Sequence, residues 1–236
     1  MAFYAIGDLH LSGAPPTKPM DVFGPQWKDH REKIIQHWKE TIGTDDTIIL
    51  CGDTSWSMDL SDAIEKDFSM LSALPGKKII LKGNHDYWWS TKSKMEQFFA
   101  KHGLDSLQIL HNNSIAVGQA AVCGSRGWLF EQGEAHDQKI VAREAARLDA
   151  SLSSAGKGLE KVAFLHYPPV FGEEITPEII DVLRKHQVRR CYYGHIHGSG
   201  CRYALNGTYL GIEFRLISAD FLGFCLMEIP EKPNKS

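Results

Sequence analysis

The sequence predicts an α/β fold in one domain spanning residues 1–236, holding a mixed sheet or two packed sheets. Two features predict it. Short apolar runs of strand length alternate with amphipathic stretches of helix length, and the C-terminal part then changes to consecutive strands. No internal repeat and no Pro/Gly/Ser linker divides the chain.

Taken in order, "FYAI", "TIIL", "KIIL", "VAFL" and "RCYY" are apolar runs suited to strands buried on both faces. Helical patterns lie at Trp27 to Glu40, Leu60 to Leu74, Ser93 to His102, Ala135 to Ser153 and Pro177 to Lys185. The last has Thr176 as its expected N-cap and Pro177 at its first position, where a missing N–H costs nothing. "SIAVGQAAVCG" reads as a hairpin, and Arg202 to Glu228 as several consecutive antiparallel strands. Ser12 to Gln26 is long, Pro-rich and without periodicity, which favours a functional loop over a structural one.

Composition narrows the class. With 236 residues, 43% hydrophobic and 23% charged, the chain is globular and able to bury a substantial core. A formal charge of −3 and the lack of a basic stripe argue against nucleic acid as a partner. No apolar run reaches membrane-spanning length, and "MAFYAIGDLHLS" lacks the basic start and apolar stretch of a secretory signal. The five Cys form no C-x-x-C pair, so no disulfide framework or zinc ribbon is expected and a reducing, cytoplasmic setting fits best. Cys51, Cys123 and Cys191 fall in apolar runs and read as small buried hydrophobes.

The polar residues carry the chemistry. Each of the five apolar runs ends in a polar cluster: Gly7-Asp8-Leu9-His10, Gly52-Asp53, Gly83-Asn84-His85-Asp86, His166-Tyr167 and Gly194-His195-Ile196-His197. Open α/β sheets bind ligands beyond the carboxyl ends of their strands, so these clusters are expected along one edge. In an extended backbone, residues two apart point to the same side. Asp8 with His10, and His195 with His197, would then aim at one point while Leu9 and Ile196 turn inward. Asp8, His10, Asp53, Asn84, His166, His195 and His197 make seven donors, too many for one tetrahedral ion and suited to two. Imidazole, carboxylate and amide without thiolate favour Mn, Fe or Zn over Mg or Ca. Asp53, alone at its strand end, is the natural bridge. Taken singly, each cluster is as well a polar turn; five at five strand ends, in a chain of 11 His, point to metal.

In this order "GDLH", "GD", "GNHD", the isolated His166 and "GHIH" resemble the signature blocks of calcineurin-like metallophosphoesterases, over Asp8 to His197. The resemblance implies a four-layer α/β/β/α sandwich of two mixed sheets flanked by helices, with a dinuclear metal centre. It assigns Asp8, His10, Asp53 and His197 to one ion, and Asp53, Asn84, His166 and His195 to the other. "GDTSWSM" lacks the Arg that follows this block in the phosphoprotein phosphatases, and "GNHD" keeps a His where lipid A precursor pyrophosphatases carry Arg. The combination with "MDVFG" and "GNHDYWW" is similar to a bacterial branch of predicted phosphohydrolases.

The expected activity is hydrolysis of a small phosphorylated substrate by a hydroxide shared between two divalent or mixed-valence ions. Phosphodiester, phosphomonoester and pyrophosphate all remain open as its bond. His85 would protonate the departing oxygen, and Asp86 would either orient His85 or cap the next turn. Trp56, Tyr87, Trp88, Trp89 and Trp128 are candidates for a substrate pocket, with packing expected for most of them. Arg126 could hold a phosphate oxygen or be an exposed loop arginine. His30, His37, His102, His111, His136 and His186 read as surface or structural. The competing functions are a non-catalytic metal-binding scaffold for protein contacts, against which all seven ligand positions and His85 are filled, and a nuclease.

Overall fold

The computed structural model describes residues 2–129 and 135–230. In chain order its elements are β1 (Phe3–Ile6), α1 (His30–Thr41), β2 (Thr47–Cys51), α2 (Leu60–Ala63), α3 (Ser69–Ala73), β3 (Lys77–Leu81), α4 (Lys92–Lys101), β4 (Leu107–Leu110), β5 (Ile115–Val117), β6 (Ala120–Ser125), α5 (Ala135–Ser153), β7 (Glu160–Leu165), β8 (Val170–Phe171), β9 (Glu174–Ile175), α6 (Pro177–Lys185), β10 (Arg190–Tyr193), β11 (Gly207–Tyr209), β12 (Ile212–Leu216) and β13 (Met227–Ile229).

Two mixed sheets result. One has the order β13-β1-β2-β3-β4, the other β11-β12-β10-β7-β6-β5, and β8 pairs with β9 in a small separate ribbon. The apolar runs are continuous because both faces of these strands are covered. In β1, Tyr4 and Ile6 pack towards Ile34 and Trp38 of α1, while Phe3 and Ala5 face the other sheet. In β7, Val162 and Phe164 face back across the same seam. Ala163 and Leu165 pack with Leu148 of α5 and Leu183 of α6. Helix, sheet, sheet and helix thus form four layers. A fully buried Phe164 or Leu50 contributes about 1.5–3 kcal/mol by leaving water.

The central strands β1, β2 and β3 run parallel, as do β7 and β10, so their carboxyl ends gather. At that end the sheets are also tied by main chain: Gly7 N–H donates to the Ile217 carbonyl at 2.7 Å and Ala219 N–H to the Gly7 carbonyl at 3.0 Å.

Four expectations need correction. The C-terminal run is not a series of antiparallel neighbours: β11 and β12 form a hairpin, β12 lies parallel to β10, and β13 crosses to pair antiparallel with β1. The helix expected over Leu60 to Leu74 is interrupted by a π-helical turn, Ile64–Phe68. That turn places Asp67 inward, where it accepts from Ser55 Oγ at 2.5 Å and Gly13 N–H at 2.9 Å. Trp27 precedes α1 and ends a short 3₁₀ turn, Pro25–Trp27, turning its ring towards the strand ends. Thr176 does occupy the N-cap of α6 with Pro177 after it, but its hydroxyl donates to the Trp128 carbonyl at 3.3 Å and makes no side-chain cap bond.

Candidate metal centre

The backbone leaves β1, β2 and β10 through sharp turns. Asp8 (φ 60°), His10 (φ 47°), Asp53 (φ 49°) and His195 (φ 72°) all occupy the left-handed region. Such backbone costs a non-glycine residue about 1–2 kcal/mol and collects at functional sites. The extended-chain argument for Asp8 with His10 and for His195 with His197 is therefore wrong in its reason. Left-handed turns, not alternation, aim the donors, although Leu9 and Ile196 do turn into the core. The Asp8 segment is laced to the next strand end: Asp8 N–H donates to the Gly52 carbonyl and His10 N–H to the Asp53 carbonyl, both at 2.9 Å. Close approach explains two glycines. A Cβ on Gly194 would overlap the Asp8 carboxylate, and one on Gly83 the Asp53 carboxylate.

The seven donors converge. His10 Nε2 lies 3.4 Å from His197 Nε2, and His197 Nε2 lies 3.5 Å from Asp8 Oδ1. Asp53 Oδ2 is 3.8 Å from His10 Nε2 and 3.6 Å from His166 Nε2, so it faces both histidines. Asn84 Oδ1 meets His166 Nε2 at 2.6 Å and His195 Nδ1 at 3.1 Å. Among the described residues, two groups have ligand atoms close enough to hold an ion: Asp8 with His10 and His197, and Asp8 with Asp53 and His166.

Neighbouring groups fix the imidazoles. His166 Nδ1 donates to the Cys51 carbonyl at 3.2 Å, and His197 Nδ1 to Asp220 Oδ1 at 2.8 Å, which turns each Nε2 towards the centre. The sequence reading missed Asp220. Its only signal was a lone acidic residue following the strand "IEFRLISA". Missed too was Trp27, whose ring stands 5.8 Å from that of His10 and 5.5 Å from that of His197.

Asp86 does not orient His85. Its buried carboxylate accepts from the N–H groups of Gly83 (2.7 Å), Asp53 (3.0 Å), Thr54 (2.9 Å) and Ser55 (3.3 Å), and from the Trp88 indole (3.0 Å). It clamps the Asp53 turn to the Asn84 turn. His85 is half-buried; its N–H donates to Asp53 Oδ1 at 2.8 Å, and its Nδ1 meets the Tyr87 hydroxyl at 3.1 Å. Its ring lies 4.3 Å from that of Trp56.

The electrostatics favour a cation. Burial, then the charge of Asp8, pushes Asp53 up to about 8. Burial also acts to raise Asp8, but the charge and hydrogen bond of His197 overcome it and bring the carboxyl below its ordinary range. Burial depresses His10 and His166 and takes His195 down to about 3, so these rings are held neutral, the form that ligates. On His197 burial opposes the charge, yet Asp8 and Asp220 prevail and raise it to about 10. Buried carboxylates beside the neutral imidazoles of His10, His166 and His195 suit a divalent transition metal, which would displace the proton that His197 holds.

The aromatic candidates divide. Trp56 stacks on His10 at 5.2 Å and Tyr87 meets His85, whereas Trp88 is buried in the core and Trp89 packs against it. Trp128 lies 5.2 Å from Tyr167, whose ring approaches that of His195 to 4.2 Å. Arg126 is not an exposed loop arginine: it is largely buried, 3.8 Å from Glu144, with its guanidinium over Trp128. His30 is buried against Trp27, and His186 pairs with Asp149. The side chain of His136 lies outside the described residues.

A family model for calcineurin-like phosphoesterases matches residues 1–199. Among solved structures, a phosphopantetheinyl hydrolase from Mycobacterium tuberculosis is similar in fold, with TM-score 0.59, 14% identity, and 100% of this chain and 98% of that chain covered. A protein of unknown function from Aquifex aeolicus is also similar, with TM-score 0.54, 15% identity, and 96% and 95% covered. No curated protein matches the sequence. No helix among the described residues is long and apolar enough to cross a membrane. With the family model covering most of its length and the strand-end donors gathered as described, the chain belongs to the calcineurin-like phosphoesterase family.

Proposed function

We propose that the protein hydrolyses a small phosphoester with two divalent transition-metal ions, Mn, Fe or Zn, held by the seven donors. Asp8, His10, Asp53 and His197 would hold one ion, and Asp53, Asn84, His166 and His195 the other. The observation that carries this reading is Asp53 Oδ2, set between His10 Nε2 at 3.8 Å and His166 Nε2 at 3.6 Å. Ions so held supply Lewis acidity and an activated water for attack at phosphorus.

The chain's own groups do the rest. His85 stands outside the ligand set, with its main-chain N–H anchored on Asp53 and Nδ1 engaged by Tyr87. Nε2 is then the atom that hands a proton to the departing oxygen. Burial, with the positive charges of Lys18 and His197 nearby, holds its pKa below the ordinary histidine value, so a proton on this ring is readily given up. Asp86 is a positioning residue that keeps the Asp53 and Asn84 turns in register. One fold neighbour is named a phosphopantetheinyl hydrolase, and release of a phosphopantetheinyl group is a candidate reaction here. The five free cysteines accord with a cytoplasmic setting.

The test is to load the protein with Mn, Fe, Zn or Mg and assay a phosphodiester, a phosphomonoester and a nucleotide pyrophosphate, with Asp53→Asn as the blank. Metal-dependent turnover of at least one substrate, with Asp53→Asn inactive and depleted of both ions by elemental analysis, is expected. A fully loaded, active Asp53→Asn protein would remove the bridge.

A further inference from the structure

Beside the metal centre lies a cavity of about 360 Å³, walled on one side by His10, His85 and His197. Its other walls are Met20 and Phe23, from the Pro-rich segment after the first motif, with Trp27 and Trp56. A volume of this order accommodates a small organic group. Gln26, Gly198 and Ser199 complete the lining, which includes no carboxylate and no lysine or arginine. Met20 and Trp27 are buried, whereas Phe23 is 66% exposed at the mouth, an apolar ring that the fold itself does not cover.

The cavity has a direction relative to the chemistry. A general acid must reach the leaving oxygen, so the leaving half of the substrate lies on the side of His85. His85 and Trp56, their rings 4.3 Å apart, both line this cavity. Tyr167, whose ring stands 4.2 Å from that of His195, is not part of this lining. The departing alcohol therefore meets a thioether, a phenyl and two indole rings, a surface that rewards apolar or aromatic groups, with the Lys18 ammonium 4.3 Å from the Trp56 ring as the nearby cation.

We infer that this cavity is the leaving-group subsite and selects phosphoesters whose alcohol half is apolar or aryl-bearing, with Phe23 and Met20 as specificity-determining residues. The inference rests on the phosphoester-hydrolase reading and adds the identity of the departing group. It gives the long segment Ser12 to Gln26 a task that its composition left open.

The experiment compares 2-phenylethyl with ethyl phosphate, and the corresponding methyl diesters, so that both leaving groups are alkoxides of similar basicity. Wild type is expected to prefer the phenylethyl ester by about ten-fold or more in kcat/KM, within the range of a modest apolar pocket. Phe23→Ala should bring the ratio towards one, mainly through KM, and Phe23→Leu should restore part of it; the exposure of Phe23 makes both variants safe for folding. A wild-type ratio near one, or a ratio unmoved by Phe23→Ala, overturns the subsite. Binding of 2-phenylethylphosphonate and ethylphosphonate, read by tryptophan fluorescence and calorimetry, separates the two claims. Selective binding that Phe23→Ala abolishes, without turnover of any ester, would overturn the hydrolase reading and leave the pocket standing. Turnover with equal binding of the two phosphonates would overturn the pocket alone.

Discussion

Asp220 holds His197 by a hydrogen bond of 2.8 Å from Nδ1, and its second oxygen accepts the Gly198 N–H at 2.9 Å. The carboxylate thus fixes the orientation of His197, a candidate ligand contributed by another element. Asp220→Ala frees the ring to rotate, and metal affinity should fall about 10–100-fold. Chelator competition measures that loss, and activity should recover at higher metal concentration. Unchanged affinity would make the Asp220 contact incidental.

Asp86 collects five N–H donors from two turns. Asp86→Asn keeps the volume but removes an acceptor oxygen and the charge, leaving buried donors unpaired at about 1–3 kcal/mol each. We expect a loss of about 3 kcal/mol in urea unfolding and weaker metal retention. A residue that tuned His85 would instead shift the pH limb assigned to His85. Any residual turnover of Asp86→Asn should keep that limb where wild type has it.

Gly194→Ala tests the close approach at the second sheet. The added Cβ falls on the Asp8 carboxylate, which also accepts the His195 N–H at 2.9 Å from Oδ2. The variant should fold, since its neighbours in β10 are untouched, yet lose metal. Normal metal content in a folded Gly194→Ala protein would contradict the geometry.

Lys78 provides a pH signature away from the centre. It is fully buried, and its ammonium donates to the Leu74 carbonyl and stands 3.4 Å from Ser106 Oγ. Burial lowers its pKa from an ordinary 10.5 to about 8. Between those values the unfolded chain binds a proton that the folded chain has released, so stability rises with pH in that window. The rise should approach about 1.4 kcal/mol per pH unit. Lys78→Met should flatten it. Urea unfolding of metal-free protein at pH 7.5, 9 and 10 decides the matter; parallel curves for the two proteins would disprove the assignment.

The layers were legible because both-face burial leaves a plain mark: "TIIL" and "VAFL" have no polar alternation to mislead. The donors were legible because each follows a strand end directly. What the sequence hid depended on distance along the chain. Asp220 meets His197 across 23 positions, and Asp86 meets Asp53 across 33, separations that no local pattern encodes. The π-turn at Asp67 was hidden because its cause, Ser55 and Gly13, lies in other segments. The crossing of β13 to the first sheet was hidden because adjacent strands in sequence usually neighbour in space.

Asp8, Asp53 and Asn84 hang from one sheet, while His166, His195 and His197 hang from the other. Any bound cation would act as a rivet through the two halves, so ion uptake and the seating of the layers are one equilibrium seen from two ends. Trimming Phe164, far inside that seam, should then loosen the grip on metal as well as the fold.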